Sequence, residues 1–86
     1  MNLIPILSAF GLSETEAQIY LKILELGKAE ASAIFKHTHI KRPTVYHALA
    51  TLTEKGLVHI VGHANIAIYE AEPPSQLKVI AQRKRD

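Results

Sequence analysis

Read for apolar and polar positions alone, the chain divides into short units, each with its own period and most of them bounded by Gly or Pro. Apolar residues dominate from Asn2 to Phe10 and stop at Gly11, a common helix stop, while Pro5 confines any helix there to starting around it. This unit is expected to pack on the core. Ser13, with Glu16 three residues later, forms a capping box, because each side chain can satisfy a backbone N–H freed at a helix start. The helix it opens carries Ala17, Tyr20, Leu21 and Leu24 at i, i+3, i+4 and i+7, one apolar stripe that ends before Gly27.

Lys28 to Ala31 predicts a short strand, followed by a second helix from Ser32 to Thr38 that turns Ile34 and Phe35 inward. His39-Ile40-Lys41 is then a tight connection, in which Ile40 is the single apolar residue able to plug the angle between two helices. A third helix opens on Pro43, whose fixed φ is already helical and whose missing N–H needs no partner at the first helical position. Val45, Ala48, Leu49 and Leu52 give it an apolar stripe, and Lys55-Gly56 supplies a basic last turn and a terminating glycine.

From Leu57 the period shortens to about two residues, the strand repeat, with Val58 and Ile60 facing one way and His59 and Val61 the other. Ile66 to Ala71 is a second such run across the turn residues Gly62 to Asn65, so the two predict a hairpin closed by Pro73-Pro74. In the tail from Ser75, Leu77, Ile80 and Ala81 share a helical face until Arg83-Lys84-Arg85 ends the repeat.

Helix, short strand, helix, three-residue turn, helix and hairpin is the order of a winged helix-turn-helix. The expected fold class is therefore α+β, mainly α: a three-helix core, a C-terminal β-hairpin wing and a short C-terminal helix. Residues 1–74 would form this domain and residues 75–86 a C-terminal helix or tail able to take part in dimerisation.

Eighty-six residues hold one small domain. With 48% hydrophobic and 21% charged residues the chain can fold, and without cysteine it must do so by packing rather than by disulfides or thiolate metal sites. The early apolar stretch is too short to span a bilayer, and no basic segment precedes it as in a signal peptide, so no membrane partner and a cytoplasmic location are expected. The net charge of +2 permits a nucleic-acid partner without requiring one. Its distribution is more informative: from Ala31 to Thr53 there is no Asp or Glu, whereas Lys36, Lys41 and Arg42 fall there with His37, His39 and His47. Such a segment attracts phosphate.

A helix about 10–12 Å across fits a major groove about 12 Å wide, and in this motif the first turns of the third helix meet base edges. With Val45, Leu49 and Leu52 committed to the core, its opposite face carries Pro43, His47, Ala50 and Glu54, flanked by Thr44, Tyr46 and Thr51. Thr44 and His47 are the candidates for base edges; Lys36, Lys41, Arg42 and Tyr46 are the candidates for phosphates or groove walls. Glu54 should sit away from DNA. Tyr20 and Tyr69 read as framework residues that bury a ring and hydrogen-bond at its edge, while Tyr46 fits either framework or interface.

The same residues carry a family resemblance. Phe10 to Tyr20 (FGLSETEAQIY), continuing through Leu24-Glu-Leu-Gly27, resembles the opening of the TrmB-type transcriptional regulators. So does Arg42-Pro-Thr-Val-Tyr46 leading through Leu49 and Leu52 to Glu54-Lys-Gly-Leu-Val58, and so does Tyr69 before Pro73-Pro74. The resemblance covers nearly the whole chain and implies the winged-helix module of an archaeal or bacterial regulator that works as a dimer. Larger members continue into a sugar-binding domain, for which this chain has no room. Two positions depart from the family: His47 stands where Arg is frequent, which removes the bidentate fork for guanine, and the wing turn Gly62-His-Ala-Asn65 lacks a Lys or Arg for phosphate.

Other classes fare worse. Five histidines raise the idea of a metal sensor, but His37 and His39 straddle a helix end, His59 and His63 lie on a strand and its turn, and the sequence sets no carboxylate beside them. No cofactor is expected. No glycine-rich phosphate loop or isolated carboxylate pair near a histidine points to an enzyme. The real competitor is a winged helix that binds protein, for example in a transcription complex, since fold does not settle function; the modest charge and nonbasic wing favour it, and the acid-free stretch around Arg42 favours double-stranded DNA.

Overall fold

The computed structural model describes residues 7–9, 11–62, 65–73 and 75. Its elements are α1 (Glu14–Leu26), β1 (Lys28–Glu30), α2 (Ala31–Thr38), α3 (Arg42–Glu54), β2 (Val58–Ile60) and β3 (Ile68–Ala71). Among the described residues, these three helices and a small antiparallel sheet make the α+β winged-helix arrangement expected from the element order. The expected C-terminal helix, the domain boundary at residue 74 and most of the Asn2–Phe10 unit lie outside the described residues, although Leu7 is completely buried in the core.

α1 begins where the capping box requires. The Ser13 hydroxyl accepts from the Glu16 N–H at 3.1 Å, and the Ser13 N–H donates to Glu16 Oε1 at 2.9 Å. Its buried face differs from the predicted stripe: Ala17, Ile19, Tyr20 and Ile23 are buried, whereas Leu21 and Leu24 are only half-buried. A single stripe assumes one apolar neighbour, but α1 packs against α2, α3, β1 and β3 together, so Ile19 and Ile23 are covered as well.

β1 ends at Glu30 and α2 begins at Ala31, one residue before the predicted start. α2 stops at His39, which takes the left-handed conformation (φ 59°) and donates its N–H to the Phe35 carbonyl. Histidine tolerates this region better than most side chains, and the reversal fits the chain into a short turn. Ile40 is partly buried against the core, as expected for the residue between two helices.

α3 starts at Arg42 with Lys41 as its N-cap, so Pro43 is the second helical residue rather than the first. The shift costs no hydrogen bond, because the first four N–H groups of a helix lack intrahelical acceptors. Val45, Ala48, Leu49 and Leu52 are buried, as their spacing predicted. At the other end Lys55 is the C-cap itself rather than part of a basic last turn. Gly56, at φ 80°, donates to the Thr53 carbonyl at 3.1 Å, and Leu57 donates to the Leu52 carbonyl at 2.9 Å. This pair of bonds is the Schellman closure, which requires the positive φ that glycine adopts freely.

The sheet order is β1-β3-β2, with β3 antiparallel to both neighbours. Opposite pairs Val58–Ala71, Ile60–Tyr69 and Ala29–Tyr69 share one face, and Lys28–Glu70 and His59–Glu70 share the other. Val58 and Ala71 are buried, but Ile60, on the same face, is 53% exposed. Both strands are shorter than predicted, since Leu57 closes α3 and Ile66 makes only an isolated bridge. On the other face Glu70 Oε1 lies 2.8 Å from His59 Nε2 and Glu70 Oε2 lies 3.8 Å from Lys28 Nζ. Glu72 Oε1 lies 3.1 Å from His59 Nδ1, so the register supplies carboxylates that linear order did not place beside this histidine. Among the described residues no group of three or more such side chains suits a metal ion, and no helix is long and apolar enough to cross a membrane.

Tyr20 joins the two layers. Its ring is fully buried, and its hydroxyl donates to the Glu72 backbone carbonyl at 2.6 Å, the framework role expected of it. Burial, helped by the Glu72 carboxylate, pushes its phenol up to about 12. In the unfolded chain the same group ionises near 10. The folded state therefore holds its proton longer, and the resulting stability is intact below about pH 10 and lost as pH rises towards 12. An ultraviolet titration is expected to show Tyr20 ionising late, towards pH 12, together with alkaline unfolding, and Tyr20→Phe should remove that late step. A late step that persists in Tyr20→Phe would contradict the assignment.

Candidate nucleic-acid interface

The start of α3 is open. Lys41 makes no side-chain cap, the first turn contains no acid, and the first intrahelical bond at this end is Val45 N–H to the Lys41 carbonyl. The positive end of the helix dipole thus faces outward without a carboxylate to neutralise it. Because Val45, Ala48 and Leu49 are pinned in the core, Arg42, Pro43, Thr44, Tyr46 and His47 are all exposed on the first two turns. Thr51, further along, is half-buried beside this face.

Lys36 and Lys41 are also exposed, on α2 and at the turn. Lys36 shares an open depression with Ser32, Ala33, Phe35, His37 and Arg42, which brings two of the predicted phosphate-binding cations to one hollow. The acid-free run from Ala31 to Thr53 covers α2, the turn and nearly all of α3, so these elements contribute no carboxylate to the surface before Glu54.

Sequence reasoning missed the part played by Phe35. It was expected to point inward beside Ile34; Ile34 is fully buried, but Phe35 is only half-buried. The Arg42 guanidinium carbon lies 5.0 Å from the centre of its ring, and the Tyr46 ring meets it edge-on at 5.6 Å and 77°. Arg42 and Tyr46 are spaced i, i+4 and so lie on one side of α3. Nothing in linear order marks Phe35 as their neighbour, because the contact depends on how the turn folds α2 against α3.

Tyr46 marks the far border of the face. With Ile60 and Tyr69 it lines a groove that continues past Leu49, Ala50, Thr53 and Glu54. Glu54, expected to sit away from DNA, is therefore at the end of α3 furthest from Arg42. Tyr46, Ile60 and Ile66 are the large apolar side chains that remain about half exposed among the described residues, at 51%, 53% and 53%. Tyr69 is half-buried between the helix and the wing, in keeping with a framework role.

In the wing, the Val61 N–H donates to the Ile68 carbonyl at 2.8 Å. A Cβ on Gly62 would fall 1.8 Å from the Ile66 backbone oxygen, so the hairpin closes only around a residue without a side chain. Residues 63–64 at its tip lie outside the described residues, and none of Gly62 to Asn65 is Lys or Arg.

Comparison with known proteins agrees with this architecture. A solved structure of a possible transcriptional regulator from Methanosarcina mazei superposes with a TM-score of 0.75 at 19% identity, covering 91% of this chain and 71% of that one. TrmBL2, described as an archaeal chromatin protein with a novel mode of DNA binding, superposes at 0.77 with 19% identity, over 88% of this chain and 29% of its own. At these identities the likeness establishes the winged-helix fold. In sequence, 68 residues are 35% identical to the sugar-sensing transcriptional regulator TrmBL1 of Pyrococcus furiosus, matching 79% of this chain. This chain spans about one fifth of that relative's length. The model of the sugar-specific transcriptional regulator TrmB matches residues 7–75, and the chain accordingly belongs to the TrmB family of transcriptional regulators.

Proposed function

We propose that this chain is a sequence-specific, double-stranded DNA-binding domain of a cytoplasmic transcriptional regulator, with the first two turns of α3 in the major groove. The observation that carries the reading is the exposed, uncapped and acid-free start of α3 beside Arg42 and Lys36. Thr44 and His47 face outward where base edges would lie, and Pro43 and Thr51 border them. Lys36, Lys41 and Arg42 serve phosphates, and Tyr46 serves the groove wall. A threonine and a histidine discriminate bases less sharply than an arginine fork. Homodimerisation on a two-fold operator compensates by pairing two half-sites.

The first test is salt dependence. Three phosphate contacts per protomer release counterions, so log affinity should fall against log salt with a slope of about −3 per protomer. Arg42→Ala should weaken all duplexes by a similar factor and flatten that slope by about one, whereas Thr44→Ala and His47→Ala should change preference among sequences. Equal effects of all three on every sequence would remove the base-reading assignment. Sedimentation that shows only monomers at high concentration, with and without DNA, would count against the dimer.

A second reading has a specific observation behind it. The half-exposed Tyr46, Ile60 and Ile66, next to a wing turn without cations, suit a protein partner in the transcription machinery better than a phosphate backbone. Failure to bind any duplex at low salt would select that reading over the first.

A further inference from the structure

We propose that Phe35 is a positioning residue for the DNA-facing surface: its ring holds the Arg42 guanidinium and the Tyr46 ring in the arrangement in which they meet the duplex. The inference rests on the DNA-binding reading and adds to it a residue that would touch no nucleotide.

The geometry is specific. Phe35 sits on α2, one residue after Ile34, which is fully buried and fixes that turn of the helix to the core. Arg42 and Tyr46 sit on α3 across the turn, with Arg42 5.0 Å and Tyr46 5.6 Å from the same ring centre. A guanidinium resting on an aromatic ring uses its flat face, and its five N–H donors lie around the rim, free to grip a phosphate in a bidentate manner. No ion pair among the described residues engages Arg42, and no acid stands between Ala31 and Thr53 to draw it elsewhere. The ring is therefore what restrains a long side chain that would otherwise sample many rotamers. Restraint before binding leaves less freedom to lose on the DNA. The edge-on contact with Tyr46 fixes the second border of the same face, so one ring sets the spacing between a phosphate-binding group and the groove wall.

The test compares wild type, Phe35→Leu and Phe35→Tyr, with Phe35→Met in place of the leucine variant if that one does not fold. Affinity for one duplex is measured across a salt series, alone and in the Arg42→Ala background, and the order of the Arg42 Nε–H group is measured by NMR relaxation in the free protein. Phe35→Leu should weaken binding roughly two- to fivefold, the size of one exposed cation–π contact, and should lower Arg42 order. Phe35→Tyr should keep both. In the Arg42→Ala background the loss from Phe35→Leu should shrink to the part that runs through the Tyr46 ring, because the remainder acts through the contact with Arg42. Unchanged Arg42 order in Phe35→Leu overturns the proposal, and so does a full loss that persists without Arg42. If wild type binds no duplex, the DNA reading fails by itself, and with it the part of the proposal that concerns DNA; the NMR result still decides whether Phe35 restrains Arg42.

Discussion

Leu52→Ala is expected to lower the thermal midpoint of the domain by about 12–24 °C. Leu52 is completely buried at the last apolar position of α3, and its carbonyl accepts the Leu57 N–H that closes the helix. Removing its side chain leaves a cavity where Leu49 and Leu57, both essentially unexposed, also lie in the core. Such truncations cost about 2–5 kcal/mol, and in a domain of this size each kcal/mol shifts the midpoint by roughly 4–8 °C. A loss near 3 kcal/mol is a large share of the roughly 5–15 kcal/mol that holds a small protein together. Leu26→Ala, at a half-buried site on α1, should cost clearly less. Calorimetry on the two variants checks this, and equal midpoints would show that Leu52 does not anchor the core.

The second large effect concerns binding. Lys41→Ala combined with Arg42→Ala is expected to weaken duplex affinity about 100-fold at moderate salt, as two charge-assisted contacts at roughly 1.5 kcal/mol each would give. Both side chains are exposed, and Lys41 makes no cap bond, so the midpoint of unfolding should move little. A drop in affinity with unchanged stability separates a role in recognition from a role in folding. Retention of wild-type affinity would place the phosphate contacts elsewhere.

Local signals in the sequence proved reliable where a few neighbouring residues determine the outcome. Ser13 and Glu16 start α1 by their own side chains, and Gly56 ends α3 because its φ is one that other residues resist. The stripe from Val45 to Leu52 leaves the outward face of α3 readable before any coordinates. What stayed hidden depends on partners distant in the chain. Ile19 and Ile23 are buried because several elements surround α1, which a one-stripe pattern does not express. Pairing register alone puts Glu70 beside His59, and the angle of one turn puts Phe35 under Arg42. The candidate site was therefore legible as a set of exposed residues but not as an arrangement.

The strand order β1-β3-β2 has a mechanical consequence. β3 is hydrogen-bonded on one side to its hairpin partner and on the other to β1, and β1 runs directly into α2 at Ala31. The wing is thus hinged to the helix-turn-helix at its base, through a strand that has no loop to absorb movement before the next helix. The sheet therefore ties the wing and the helix-turn-helix into one hydrogen-bonded unit, so the hairpin and the start of α2 keep a fixed relative placement.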